Sequence, residues 1–526
     1  MSADKNEKSD QDLGMTSSGH SQKILDFIER VGNKIPTPCT LFAVLAVITL
    51  ILSWIFDGAF VTYAGPDGKQ VIAKCVSLIN ADGLRYIISS VIPNFVQFPP
   101  LGLVIVLMLA MGLAESTGLV NAFVRRLLMG VPSWAVTATI FIIGINCHVI
   151  ASDAAMVFVP AAAAVVYAGM GRNPILGLST AFAATAAGYS ASLIPSGFDV
   201  LLSGITQSAT GIISQTAKSP AHPLINYYFM SSSVIILTIV GTFVSEKIVA
   251  PRAERLWAKN LGETTSPELT PEEKKGLTYA GRTLLACVIL LAILVVPENG
   301  VLRNPTTHTL MPSSPFLSGI VPIMFFLFLT TSVAFGIGKG VITKEPDVTR
   351  LIVQGLTPML NFVVTAFTAA QFIAWFTKSN LATIIAVNGA EILKTLGLTG
   401  IPLVASYVVF SSAEDMLIMS GSAKWLFSSP IFVPMFGLLG FEPALTQAAY
   451  RIGASTANCI TPLNYYIPVI LSILARYVKT PDKAGMGTLL ALQVPYFIAF
   501  EIFWTGWLIL FMLLDWPLGP GAKIFL

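Results

Sequence analysis

Charge is what this chain has least of. Asp, Glu, Lys and Arg make up only 11% of its 526 residues, against about 25% in a soluble globular chain. The net charge is +3 and no basic stripe stands out, so nothing offers a nucleic-acid surface. Five cysteines (Cys39, Cys75, Cys147, Cys287 and Cys459) lie mostly inside apolar runs and match no metal spacing. Their odd number implies no disulfide framework, and small buried side chains are the simpler reading. HExxH and GxSxG motifs are missing, as is a nucleotide-binding P-loop, so neither an intramembrane hydrolase nor an ATP-driven pump is expected. The chain is read as a non-enzyme without a resident cofactor. Alternating segments of about ten residues, the mark of a membrane β-barrel, are also missing.

What remains is apolar. The chain is 54% hydrophobic with a mean hydropathy of +0.75. Runs such as 101–114, 316–335 and 495–514 approach or reach a bilayer-spanning helix of about 20 residues. An all-α polytopic membrane protein is expected. Residues 1–37 are read as a cytoplasmic segment, polar and disordered to about 18 and then an amphipathic helix lying on the membrane. The charged leader is too long for a cleavable signal. Residues 38–100 give a first span (40–56) and a polar external loop.

Two later stretches read as copies of each other: 152–195 and 420–462. Each has a small polar opening, an apolar run containing proline and a second proline at a turn (Asn173-Pro174, Glu442-Pro443). Each then dissolves into a Ser/Thr/Ala/Gly-rich stretch ending in a third proline. Paired, interrupted apolar segments mark the binding site of many transporters. They define two repeats, 101–249 and 351–514. Each holds a re-entrant hairpin (about 133–169 and 401–439) and a broken span (174–213 and 443–477). Residues 250–350 supply two connecting spans and cytoplasmic loops, and 515–526 an external C-terminus. The count is nine transmembrane helices plus two hairpins. Each unit crosses three times and two spans separate the copies, so the repeat is inverted. Lys and Arg gather on the side assigned to the cytoplasm.

Ionisable residues at membrane depth are functional candidates by default. Asp153, at the tip of the first hairpin, is either an ion or substrate contact or an N-cap. Asp199, closing the first unwound stretch, is either a coupling site or a cap. His148 is a proton relay or a helix-end histidine bonded to backbone. Ser420, Gly421 and Ser422 open a helix whose free N–H groups suit an anion, with close helix packing as the alternative. Trp425 either stacks on an aromatic ligand or packs in the core. Arg451 needs a carboxylate, from a substrate or from Asp415 or Glu414. Lys424 either snorkels or pairs with Asp415. Glu501 is read as lying near a span end. Asn146, Ser190 and Asn458 carry oxygens of the kind Na⁺ accepts at an unwound helix.

The chain resembles the p-aminobenzoyl-glutamate transporter family (AbgT). The likeness rests on ERVGNKIPTPCTLF (29–42), NADGLRYIISSVIPNFVQFPPLG (80–102), GRNPILGL (171–178), FDVLLSGIT (198–206), NYYFMSSSVIILTIVGTFVSEKIVAPR (226–252), SGSAKW and SPIFVPM (within 420–435) and AAYRIG (448–453). It implies a homodimer in the bacterial inner membrane with the nine-plus-two topology. It also implies uptake of p-aminobenzoyl-glutamate or export of sulfonamide antimetabolites, coupled to H⁺ or Na⁺. By motif, Asp199, Trp425, Arg451 and Pro462 match positions with a functional role in the family, and Thr461 precedes that proline. The family's Asp three residues after the Arg is replaced here by Ala454. The expectation is that Asp415 or Glu414 takes over its pairing with Arg451. The rival reading is a cation exchanger or channel with no organic substrate.

Overall fold

Proline sets the start of many helices in this chain. At the first helical turn its missing N–H costs nothing, because that donor has no intrahelical acceptor anyway. The computed structural model describes residues 37–128, 131–151, 153, 155–258, 269–310, 314–356, 359–464, 466–479 and 484–526. The expected surface helix before residue 37 lies outside the described residues, as do parts of the charged loops at 251–277 and 476–483.

Helix α1 (Pro38–Ile55) leads into a hairpin of β1 (Phe60–Ala64) and β2 (Gln70–Lys74), antiparallel with Phe60 opposite Lys74. Then come α2 (Ala81–Val96), α3 (Pro99–Thr117), α4 (Leu119–Leu128), α5 (Val136–Ala151) and α6 (Ala155–Gly169). The first half ends with α7 (Pro174–Ala186), α8 (Gly197–Thr210) and α9 (Tyr227–Leu256), the last containing a π turn at Val244–Val249. Helices α10 (Pro271–Val295), α11 (Pro315–Ser318) and α12 (Ile320–Lys339) connect the halves. The second half runs α13 (Glu345–Leu356), α14 (Met359–Lys378), α15 (Leu381–Thr395), α16 (Gly400–Asp415) and α17 (Gly421–Gly437). It closes with α18 (Pro443–Thr456), α19 (Ile467–Ala475) and α20 (Met486–Leu513).

The two halves share one order: long helix, short helix, two short apolar helices, proline-started helix, break, helix, long helix. Among the described residues, six helices are long and apolar enough to cross a membrane, and α15 with α16, bent by 119°, makes a seventh if taken as one span. Helices α7 and α18 are buried along their whole length, whereas only 6% of the apolar window of α10 is buried. The broken helices are therefore the core, and α10 is periphery. Helix α17 packs on α8, and α6 on α19, so each hairpin touches the broken span of the other half. Helices α16 and α18 cross closely because Gly453 has no side chain: a Cβ there would lie 2.3 Å from the Val408 carbonyl oxygen.

Three expectations change. The polar loop up to residue 100 contains a strand hairpin and α2, whose first turn is capped by the Asn80 side chain accepting from Gly83 N–H. Pro93 inside it and Pro99 and Pro100 beyond it masked that helix in the sequence. The second repeat, expected to open at 351 on a span, opens instead on the amphipathic α13, which holds 351–356, and its apolar helix starts at Met359. Glu501 lies near the middle of α20, not at a span end.

Candidate functional site

The site forms where both broken helices unwind. Helix α7 ends at Ala186, and the chain restarts at Ser196, whose extended backbone and side chain cap α8. The Asp199 carboxylate completes a capping box, accepting from Ser196 N–H (2.7 Å) and Ser196 O–H (2.6 Å). Its other oxygen lies 2.7 Å from Arg451 Nη1. Asp199 thus acts as the cap of its two readings and, in addition, as the charge partner of Arg451. Arg451 Nη2 donates to the Ser190 carbonyl oxygen (2.6 Å), and Ser455 O–H donates to the Ser190 hydroxyl (2.6 Å). Arg451, nearly inaccessible, therefore links the unwound stretch of the first half to α18 of the second.

This overturns the expected pairing of Arg451 with Asp415 or Glu414. Asp415, at the end of α16, is bonded to Lys424 in the first turns of α17. Glu414 accepts from Ser428 O–H (3.0 Å). The nearest cation to Asp415 comes from its own hairpin, and the nearest anion to Arg451 from the other half.

A cavity of about 180 Å³ lies beside this junction. Asp153, Tyr189, Ser190 and Phe198 line it from the first half, with Val104, Met108 and Met156. Ser420, Gly421, Ser422, Ala454, Ser455 and Asn458 line it from the second. Tyr189 O–H donates to Asp153 (2.8 Å), so Asp153 takes part in the cavity wall. Ser420 caps α17 by accepting from Ala423 N–H (3.3 Å). The Phe198 ring packs edge-on to Tyr189, and its centroid is 6.0 Å from the Arg451 guanidinium. It therefore borders both the cavity and that cation.

Of the sequence-selected residues, the cavity gathers Asp153, Ser190, Ser420, Gly421, Ser422 and Asn458. Asp199 and Arg451 sit directly behind its wall. Trp425 is fully buried, stacks on Tyr450 with centroids 4.6 Å apart, and donates its N–H to Thr206 (2.9 Å). Packing, the simpler of its two readings, is the role seen here. Thr461 donates to the Asp415 carbonyl oxygen (3.0 Å), and neither Thr461 nor Pro462 is in the wall. Asn146 is not in it either: its amide donates to the Ile142 carbonyl and accepts from Leu193 N–H. His148 is bonded to the Ile145 carbonyl oxygen (2.8 Å), as a helix-end histidine. Oxygens for a small cation at the cavity come from Ser190, Ser455 and Asn458. Among the described residues, His, Cys, Asp and Glu form no group of three or more suited to a metal. Sequence reading missed Tyr189 and Phe198, although each directly flanks a selected residue.

Two half-repeats with buried broken helices and a cavity lined by both halves define a multi-pass membrane transporter. The family model described as "AbgT putative transporter family" matches residues 23–526. The chain is 38% identical over 506 residues to the p-aminobenzoyl-glutamate transport protein of Escherichia coli (strain K12), covering 96% of this chain and 97% of that one. It is similar to the YdaH transporter of Alcanivorax borkumensis (33% identity, TM-score 0.85, 92% of this chain and 100% of that one). It is also similar to MtrF of Neisseria gonorrhoeae, described with a class of antimetabolite efflux pumps (36% identity, TM-score 0.85, 95% and 100%). The chain belongs to the AbgT family.

Proposed function

We propose that the chain is a secondary active transporter of p-aminobenzoyl-glutamate or related folate-pathway aromatic carboxylates and sulfonamide antimetabolites, driven by a proton or sodium gradient. The cavity between the two halves carries this reading. One wall is the start of α17 at Ser420–Ser422, where helix N–H groups favour an anion. The facing wall has the Tyr189 and Phe198 rings, suited to an aryl group. Arg451, which holds the cavity residue Ser190 and lies beside the Phe198 ring, is the cation within reach of a substrate carboxylate once the site opens. The names of the E. coli and N. gonorrhoeae relatives point to the same substrate classes.

At about 180 Å³ the cavity is smaller than the roughly 300–1,000 Å³ typical of drug-sized ligand sites. Substrate entry therefore requires it to widen, as alternating access demands. In this reading the protein is a homodimer in the bacterial inner membrane. Each protomer has nine spans and two hairpins in an inverted repeat, with the N-terminus cytoplasmic and the C-terminus external. Flux of labelled p-aminobenzoyl-glutamate and of a sulfonamide into proteoliposomes, with H⁺ and Na⁺ gradients imposed separately, tests it. Gradient-dependent flux of either compound is expected. Ion flux without flux of either compound overturns the assignment in favour of an ion exchanger or channel.

A further inference from the structure

The cavity leaves unused a carboxylate at membrane depth. Glu501 lies near the middle of α20, about 20 Å of helix from either end at roughly 1.5 Å per residue. Its carboxylate meets two hydroxyls: Ser412 of α16 (2.7 Å) and Thr456, the last residue of α18. Among the described residues, none of the ion pairs includes it. Most charged groups on the elements around it have other partners. Arg451 holds Asp199, Asp415 holds Lys424, Glu414 accepts from Ser428, and Glu246 holds Arg172. Tyr450 donates to the Gly421 carbonyl oxygen, Cys459 S–H to that of Thr456, and Tyr496 shares hydrogen bonds with Ser245 and Thr180. The remaining charges on these elements are Lys247, on the π turn that also touches α20, and Arg252, Glu254 and Arg255 in the last turns of α9; Tyr407 of α16 adds a buried neutral hydroxyl.

The hydroxyls set the proton count. Ser412 Oγ is also 3.2 Å from the Val408 carbonyl oxygen, and Thr456 Oγ1 3.3 Å from that of Gly453. Each hydroxyl has one proton to give. If both protons go to the carboxylate, both helix carbonyls lose a side-chain donor and an uncompensated anion stays at membrane depth. A neutral carboxyl removes the charge and frees one of the two hydroxyl protons for its helix carbonyl. It donates to one hydroxyl, whose own proton turns to its helix carbonyl, and accepts from the other.

We infer that Glu501 is a proton-binding site that takes one proton from water, forming its carboxyl O–H, and returns it as α18 shifts between α16 and α20. This rests on the transporter reading and adds to it where a coupling proton is held. Thr456 directly follows Ser455, which lines the cavity and holds Ser190, so one peptide unit separates the proton site from the cavity wall. Losing the proton swings the Thr456 hydroxyl away from its own helix at the point where α18 gives way to the tight turn Ala457–Cys459.

Two measurements test this, and their failures are separable. Infrared difference spectra of the purified chain in lipid, taken between acidic and alkaline buffer, need no substrate. A carboxylic C=O component is expected that Glu501→Gln removes, Glu414→Gln keeps and Ser412→Ala shifts in frequency. A Glu501→Gln spectrum identical to wild type overturns the inference. In proteoliposomes, each coupled proton supplies about tenfold accumulation per pH unit of gradient. Glu501→Gln is expected to lose that accumulation while still exchanging substrate across the membrane, and accumulation at the wild-type level overturns the inference. Absence of any wild-type flux counts against the substrate assignment and leaves the infrared result to decide this site.

Discussion

Arg451 commits two of its three nitrogens to the other half of the chain, Nη1 to Asp199 and Nη2 to the Ser190 carbonyl. Removing one partner of a buried pair typically costs about 3–5 kcal/mol, because the other charge stays behind. Asp199→Asn and Arg451→Met are each expected to lower stability by about that much in detergent melts, with the double variant recovering part of the loss. Arg451→Lys is expected to fail as well, since an ammonium cannot reproduce the planar fork that reaches Asp199 and Ser190 together. Lys424→Met is expected to destabilise through Asp415 in the same way, with Asp415→Asn restoring part of the loss. The sequence singled out Asp199, Arg451, Asp415 and Lys424 because charge inside apolar runs is conspicuous, and it offered the Lys424–Asp415 pair beside the one it got wrong. It could not settle who holds whom. Asp199 and Arg451 lie in opposite halves, and only the fold reveals that the unwound ends meet.

At the scale of elements, prolines and small residues made the breaks legible. The small-residue stretches before the third prolines, Pro195 and Pro462, fall where α7 and α18 end. Helix α2 was missed because Pro93 inside it and Pro99 and Pro100 beyond it read as loop, although Leu84, Ile88, Ile92 and Val96, all exposed, recur at the helical spacing of four. The crossing of α16 and α18 yields a prediction: Gly453→Val forces backbone apart at Val408 and Ser412. Overpacking of this kind costs about 1–3 kcal/mol, read as a lower melting temperature. Helix α10 starts with a capping box between Thr270 and Glu273, and Glu273 also holds Arg125 of α4 at 2.5 Å. Thr270→Ala is expected to cost about 1 kcal/mol in the same assay. Outside the membrane core, the N–H groups of Thr343 and Lys344 and the Thr343 hydroxyl hold the Asp347 carboxyl below the usual carboxylate range. A lowered folded pKa stabilises fully above the unfolded value, about 3.9, and the gain is lost as pH falls through the folded one. Asp347→Asn should therefore melt below wild type at neutral pH, and the two curves should converge in acid.

At the scale of the molecule, periphery and core differ in what they face. Leu284, Leu285, Val288, Ile289 and Ile293 of α10 are exposed, so brominated lipid is expected to quench a tryptophan placed at Ile289. A tryptophan at Ala181 of the fully buried α7 should stay unquenched, and quenching there would contradict the packing described. The seam between the halves carries Trp425 to Thr206, Thr206 to Gln447 (2.6 Å), Asn226 to the Ala444 carbonyl (2.8 Å) and Gln493 to the Ser179 carbonyl (3.1 Å), beside the Arg451 contacts. Hydroxyls, amides and charges that water satisfies at an ordinary surface are here satisfied by the opposite half. For each half, in effect, the other half is the solvent. A half inserted alone would present those groups to lipid, which cannot bond them. Neither half is thus a smaller transporter in its own right, and a chain divided near Gly300 should regain function only when both pieces are made in the same membrane.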